Sequence, residues 1–336
     1  MLVFQEIEIQ TSSNFAVRSG TRPNNFRTGF LDHSSMLPYL QLVRFPNLLV
    51  VALTQSLIFY RLILPAFERN GIDAQLSHLQ FALLVIACAI VTAAGYVIND
   101  ILDTKADAVN KPGRNHVDDL GLANCRWLFV VLILIGYGIS LQLALSLGKS
   151  HLIWLYPVAV GLLSLYSRYV KPIPLAGNLL VATFCAGVPA LVALAELEGL
   201  NSLVISEPAT IRILFIYGIF AFVATWLREL VKDMEDINGD RLIGRRTIPI
   251  ILGISNSRSL GILLSLLNLF ALLAPLLLGW PAFRKPGILI CVVLLCLALC
   301  YFAWQLLRSR NARDYGRIST QLKLFLLGGL GLLVLV

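Results

Sequence analysis

Apolar residues run in long blocks along nearly the whole chain, broken by short polar stretches, with no two-residue alternation of the strand kind. The blocks fall at 45–65, 79–98, 126–146, 152–168, 176–196, 211–230, 258–279, 287–306 and 322–336. A helix rises 1.5 Å per residue, so about 20 residues cross roughly 30 Å of hydrocarbon. Helices also satisfy their own backbone hydrogen bonds in lipid. The pattern therefore predicts an all-α polytopic membrane protein with nine transmembrane helices. The ninth block, Leu322 to Val336, is short for a span. Arg61, Pro65, Pro157, Pro189 and Pro275 fall inside or at the ends of blocks, where kinks are expected.

Residues 1–36 lack an apolar core, are rich in Ser, Thr and Asn, and carry Arg18, Arg22 and Arg27. They read as a disordered cytoplasmic extension without a catalytic part, ahead of a transmembrane domain at 37–336. Glu6 and Glu8 weaken the rival reading, an organelle transit peptide.

Composition agrees with the pattern: 57% of residues are hydrophobic and only 14% charged, which excludes an ordinary soluble domain. Basic residues orient the helices. The amino-terminal side and alternate loops hold 21 of the Lys and Arg residues, against 6 on the other side. The positive-inside rule puts the amino terminus and the 99–126 and 228–258 loops in the cytoplasm, and the expected setting is the inner membrane of a bacterium. The net charge of +8 needs no nucleic acid, and no protein partner is expected. The six cysteines show no CxxC pair or neighbouring His and read as buried small hydrophobes. No zinc pattern, P-loop or dinucleotide fingerprint is present.

Against this apolar background two acidic clusters stand out. Residues 95–114, GYVINDILDTKADAVNKPGR, put Asn99, Asp103 and Asp107 at four-residue spacing, which on a helix makes one slowly drifting stripe. Residues 227–249, LRELVKDMEDINGDRLIGRRTIP, repeat the spacing with Asp236 and Asp240, and Asp233 lies one turn earlier. Both clusters follow even-numbered spans, so both reach the same membrane surface. Helical bundles build polar sites where facing helices project side chains inward. Hard oxygen donors without competing thiols or imidazoles suit magnesium, which keeps waters and substrate phosphates in its shell. Lys111 and Arg114 follow the first cluster, and Arg228, Lys232, Arg241, Arg245 and Arg246 bracket the second, as cations for phosphate oxygens. The site reads as one for a diphosphate at a membrane surface.

Asn99-Asp100-x-x-Asp103-x-x-x-Asp107 with Asn110-Lys111-Pro112-x-Arg114, and Asp233-x-x-Asp236-x-x-Gly239-Asp240 with Gly244 and Thr247, resemble the paired aspartate-rich motifs of the UbiA superfamily of intramembrane prenyltransferases. The likeness runs from about Leu37 to the end. The family commonly has Pro after that Arg, where this chain has Asn115. The resemblance implies nine helices around a cavity and a polar cytoplasmic cap. It also implies transfer of a prenyl group from its diphosphate, with two magnesium ions bridging that diphosphate. On the same basis Asn99, Asp103, Asp107, Asp236 and Asp240 are expected metal ligands, and Asp100, Asp233, Lys111 and Arg114 are expected in the diphosphate pocket. Arg44, Asn47, Ser167, Lys171, Asn178, Arg228, Lys232 and Arg245 are expected to bind substrate. Tyr166 is the aromatic candidate for favouring an allylic cation. Arg44 and Lys171 also suit helix anchoring by snorkelling, and Arg228 and Glu229 suit a mutual pair.

The second motif looks more like that of the branch that makes digeranylgeranylglyceryl phosphate than like the 4-hydroxybenzoate branch, so an anionic prenylated glycerophosphate is the favoured acceptor. An aromatic precursor of quinone, homogentisate or chlorophyll type is the alternative. An ion-coupled transporter is the remote one, because transporter acids lie near the bilayer midplane and these stand at span ends.

Overall fold

The structure, a computed structural model, describes residues 33–110 and 116–335. Every regular element among them is helical, and nine helices are long and apolar enough to cross a membrane. They are α1 (Phe45–Arg69), α2 (His78–Asn110), α3 (Leu122–Ser146), α4 (Ser150–Val170) and α5 (Ala176–Ala195), then α6 (Pro208–Glu235), α7 (Ile248–Leu277), α8 (Pro286–Arg308) and α9 (Ala312–Leu335). The chain is thus a multi-pass integral membrane protein. Prolines open α6, α7 and α8 at the first turn, where a missing N–H costs nothing.

The expected edges shift where polar turns pack on protein. α9 is 24 residues long because its opening ARDYGRISTQ is helical too. Tyr315, Ile318, Ser319 and Leu322 bury one stripe of that opening at helical spacing. The short ninth block is the apolar carboxy-terminal part of that helix. Irregular backbone occurs at one of the expected positions, Arg61, which lies inside a π-helical stretch. α5 and α7 run through Pro189 and Pro275, and the interruption of α7 is at Gly253, with φ 78°. α1 carries a π-helical stretch at Ile58–Ile63, just before Pro65. Two cysteines, Cys185 and Cys300, are exposed rather than buried.

α6 lies against α5, α7 and α9, and α2 against α3. On α6, Leu227 and Leu230 are fully buried and lie beside Gly261 of α7. Only 11% of the apolar window of α4 is buried in protein, against 44% for α9, so lipid is the complement of the outer helices. The alternating directions bring the ends of α2, α4 and α6 and the starts of α1, α5 and α7 to one end of the bundle. At the opposite end Arg69 pairs with Glu207 at 2.6 Å, and the buried Glu196 accepts the backbone N–H groups of Gln75 and Leu76 at 2.9 and 2.8 Å.

Candidate active site

The site is built from three separated segments. On α2, Asn99 and Asp103 share a face, and Asn99 Nδ2 donates to Asp103 Oδ2 at 2.8 Å. Lys171, in the α4–α5 connection, donates from Nζ to Asn99 Oδ1 at 2.9 Å and also reaches Asp103. Arg245, in the α6–α7 connection, donates from Nη1 to Asp240 Oδ1 at 3.1 Å and from Nη2 to Asp103. One carboxylate therefore takes two cations from different connections. The two connections also touch through their backbones, Arg246 N donating to Pro172 O at 3.3 Å.

The second acidic cluster is not one continuous helix. α6 ends at Glu235, Asp236 stands at the break with φ −88° and ψ 4°, and Ile237–Leu242 forms a separate turn. The four-residue relation survives because Asp240 N still donates to Asp236 O, at 3.1 Å. Gly244 turns the chain with φ 75°, and Arg245 N then bonds Asp240 O at 2.9 Å. That turn is what aims the guanidinium back at Asp240 and across to α2.

These groups surround one cavity with about 640 Å³ of atom-free space, its mouth included. Asn99, Asp103, Asp236 and Asp240 line it, as do Asn178 and Asp233, joined by a 2.9 Å hydrogen bond from Asn178 Nδ2. Arg44, Lys171, Lys232 and Arg245 supply its cations, and Tyr166 its aromatic wall. Burial pulls the Lys171 ammonium below its usual range, with Asp103 opposing. It pushes the Asp240 carboxyl above its usual range, with Arg245 opposing. Lys171 thus lines the cavity, with its ammonium turned to Asn99 and Asp103.

Four expected residues stand behind the lining. Asp100 accepts from Arg44 Nη2 at 2.8 Å, Asn47 donates to Tyr96 Oη at 3.1 Å, and Arg228 pairs with Glu229 at 2.5 Å as anticipated. Ser167 is buried in the π-helical stretch that ends α4. These four are not among the residues that line the cavity, and they touch or adjoin residues that do. Asp107 lies on α2, its side chain outside the described set, and Lys111 and Arg114 lie outside the described residues.

The donor set suits a hard cation. Among the described residues no His or Cys lines the cavity. Among the described residues no three His, Cys, Asp or Glu groups gather tightly enough to hold an ion alone. Magnesium asks for only one or two carboxylates, with waters and phosphate oxygens completing its shell, so the residues fit it and do not fit structural zinc.

The sequence model of the UbiA prenyltransferase family matches residues 71–327. The chain belongs to the UbiA prenyltransferase family. It is similar to digeranylgeranylglyceryl phosphate synthase of Saccharolobus solfataricus, 29% identical over 297 residues that cover 88% of this chain and 95% of the relative. The enzyme of that name from Natronomonas pharaonis is 31% identical over 270 residues, covering 77% and 85%. A solved structure of digeranylgeranylglyceryl phosphate synthase shares the fold at a TM-score of 0.62 and 22% identity, over 90% of this chain and 98% of that one. A UbiA homolog from Archaeoglobus fulgidus, bound to DMAPP and Mg2+, does so at 0.54 and 15%, over 89% and 100%.

In this UbiA-family chain, sequence reasoning left Tyr96, Glu229 and Thr247 out of the site. Glu229 and Thr247 line the cavity, and the Arg44 guanidinium lies 4.6 Å from the centre of the Tyr96 ring. A signal existed for two of them. Tyr96 precedes Asp100 by four residues and Glu229 precedes Asp233 by four, one helical turn each.

Proposed function

We propose that this prenyltransferase uses magnesium to move a prenyl group from a prenyl diphosphate to a prenylated glycerophosphate. The observation that carries the reading is the single cavity in which Asp103, Asp236 and Asp240 meet Lys171 and Arg245 at one end of the bundle. The relatives named as digeranylgeranylglyceryl phosphate synthases support the acceptor class. The A. fulgidus homolog, bound to DMAPP or GPP with Mg2+, supports donor and metal.

Asp103, Asp236 and Asp240, with Asn99 and Asp107, would hold the metal. Bound there, magnesium neutralises the diphosphate and stabilises it as a leaving group. Lys171 and Arg245, with Lys111 and Arg114, donate charge-assisted hydrogen bonds to phosphate oxygens. As the allylic carbon–oxygen bond lengthens, the Tyr166 ring face favours the carbocation and the lipid-embedded cavity keeps water away. The acceptor hydroxyl oxygen then bonds that carbon, and its proton passes to an oxygen base.

The 21-to-6 distribution of basic residues supports a cytoplasmic amino terminus and a cytoplasmic site. The membrane proposed is a cytoplasmic one. The named relatives come from archaea, which lends the expected bacterial host no support. Single cysteines near Asp107 and Gly239 should label from the same, inner side of oriented vesicles, and labelling from opposite sides defeats the shared site.

Purified protein incubated with labelled prenyl diphosphates and a panel of acceptors tests the function by product mass. The expected product is an ether of the glycerophosphate, abolished by chelation and restored by magnesium. Exclusive prenylation of homogentisate or a naphthoate transfers the protein to the aromatic reading. Magnesium-independent transport without product transfers it to the transporter reading.

A further inference from the structure

The cations of the site fall into two groups. Lys171 and Arg245 converge on Asp103. Arg44, Lys232 and Arg228 act on the Glu229 carboxylate, which also feels Lys171, and Arg228 is ion-paired to it. A fourth cation joins this second group from α9, and neither motif contains it.

α6 and α9 run antiparallel in close register. A Cβ added at Gly316 would lie 2.7 Å from Glu235 Oε1, and one at Gly329 would lie 2.3 Å from the Phe220 ring. Two turns along α9 from Gly316, on the same face, stands Lys323. Two turns back along α6 from Glu235 stands Arg228. Lys323 accordingly feels the charges of Arg228, Lys232, Arg44 and Glu229. A lysine this far inside an apolar helix is costly unless something polar compensates it.

Two of the nearby carboxylates are already engaged, and Asp236 acts on Lys232 from the same cavity. Asp100 takes Arg44 at 2.8 Å, and Glu229 takes Arg228 at 2.5 Å. Among the described residues neither Lys232 nor Lys323 is ion-paired to a carboxylate of its own. Arg228 Nε is buried with no hydrogen-bond partner in the protein. A buried guanidinium N–H left unpaired beside surplus positive charge calls for an anion with oxygen acceptors. Lys323 is exposed on a membrane-spanning helix, so that anion is reachable from the lipid side.

We propose that Lys323, Lys232, Arg228 and Arg44 form an anion subsite, distinct from the diphosphate end at Asp103, that binds the phosphate of the acceptor lipid. The proposal rests on the function proposed above and names how its acceptor is selected. It also places Arg245 with the donor rather than the acceptor. A tetrahedral phosphate monoester offers enough oxygens to meet Lys232 and Lys323 while the Arg228 Nε donates to another. An uncharged acceptor would leave the cations with nothing to bind, so the subsite favours phosphorylated acceptors.

The test compares wild type, Lys323→Ala and Lys323→Arg in neutral-lipid nanodiscs, with two acceptors: a prenylated glycerophosphate and the same lipid without its phosphate. Lys323→Ala should raise the KM for the phosphorylated acceptor about tenfold, the usual scale of one charge-assisted contact. The donor KM should stay within about twofold, Arg should restore most of the loss, and the KM for the dephosphorylated lipid should not move. Lys323→Glu, which reverses the charge, should extend the same split. An unchanged KM for the glycerophosphate in a folded Lys323→Ala protein overturns the subsite and leaves the proposed function standing. Equal changes for both acceptors overturn it too, because the loss then does not depend on the acceptor phosphate. A wild-type protein that prenylates neither glycerolipid overturns the acceptor reading, and the subsite with it.

Discussion

Arg245 donates to Asp240 at 3.1 Å, and the other arm of the same guanidinium reaches Asp103, 142 residues away in the chain. A planar fork with fixed donor directions can bridge two carboxylates in this way, and a lysine ammonium on a flexible stem cannot reproduce it. The two acidic segments are thereby tied to each other.

Arg245→Lys should therefore lower kcat/KM for the prenyl diphosphate by about tenfold or more although it keeps the charge, since the loss of one charge-assisted bond is on that scale. Steady-state kinetics with varied donor check it. Wild-type kcat/KM in the lysine variant would mean that charge alone matters at 245.

Neutralising an acid should cost more. Asp236→Asn is expected to lose about 10²-fold or more in kcat, the scale seen when an electrostatic group acting on developing charge is removed. Asp103→Asn should be equally inactive but less stable, because it leaves Lys171 and Arg245 buried around a neutral amide. Thermal unfolding in detergent separates the two effects: Asp236→Asn should melt close to wild type and Asp103→Asn well below it.

Magnesium demand should depend on pH with a definite sign. Burial pushes the Asp240 carboxyl above the usual carboxylate range, with Arg245 pulling the other way. A raised pKa means that the proton is retained at higher pH, and magnesium must displace it to bind. The affinity for magnesium should accordingly fall as pH is lowered, starting above the pH at which an ordinary aspartate titrates. Titration calorimetry across mildly acidic to neutral pH measures this directly. Asp240→Asn should bind more weakly and lose this component of the pH dependence.

The nine spans were legible because lipid imposes one rule on every residue of a span, and hydropathy reports that rule. The opening of α9 was not, because Arg313, Asp314 and Arg317 hide the stripe of Tyr315, Ile318 and Leu322 that packs on protein. At the site, four-residue spacing revealed Asn99, Asp103, Asp236 and Asp240, since helical periodicity alone puts such residues together. The division of labour among the cations was not legible. Lys171 and Arg245 sit in connections whose backbones meet, and Lys323 comes near the α6 cations through the packing of α9 on α6. Such placement depends on tertiary register, which local pattern does not encode.

That register is itself testable at Gly329. A methyl group there would lie 2.3 Å from Cε1 of Phe220, whose ring packs on Phe325 with centroids 5.4 Å apart. Phe220 is 6% exposed, so its ring has little room to turn away. Gly329→Ala should then cost about 1–3 kcal/mol, the usual penalty for overpacking a filled core, and lower the melting temperature. Gly331→Ala is the control, because nothing lies within 4 Å of a Cβ there. In Phe220→Ala the added methyl group has space, and a double-mutant cycle should return a coupling of about 0.5–3 kcal/mol in favour of the pair. If the clash is relieved by α9 moving off α6 rather than by local adjustment, Lys323 moves with it. Gly329→Ala should in that event raise the acceptor KM while sparing the donor KM. An unperturbed melting temperature together with zero coupling would mean that α6 and α9 are not in the register described.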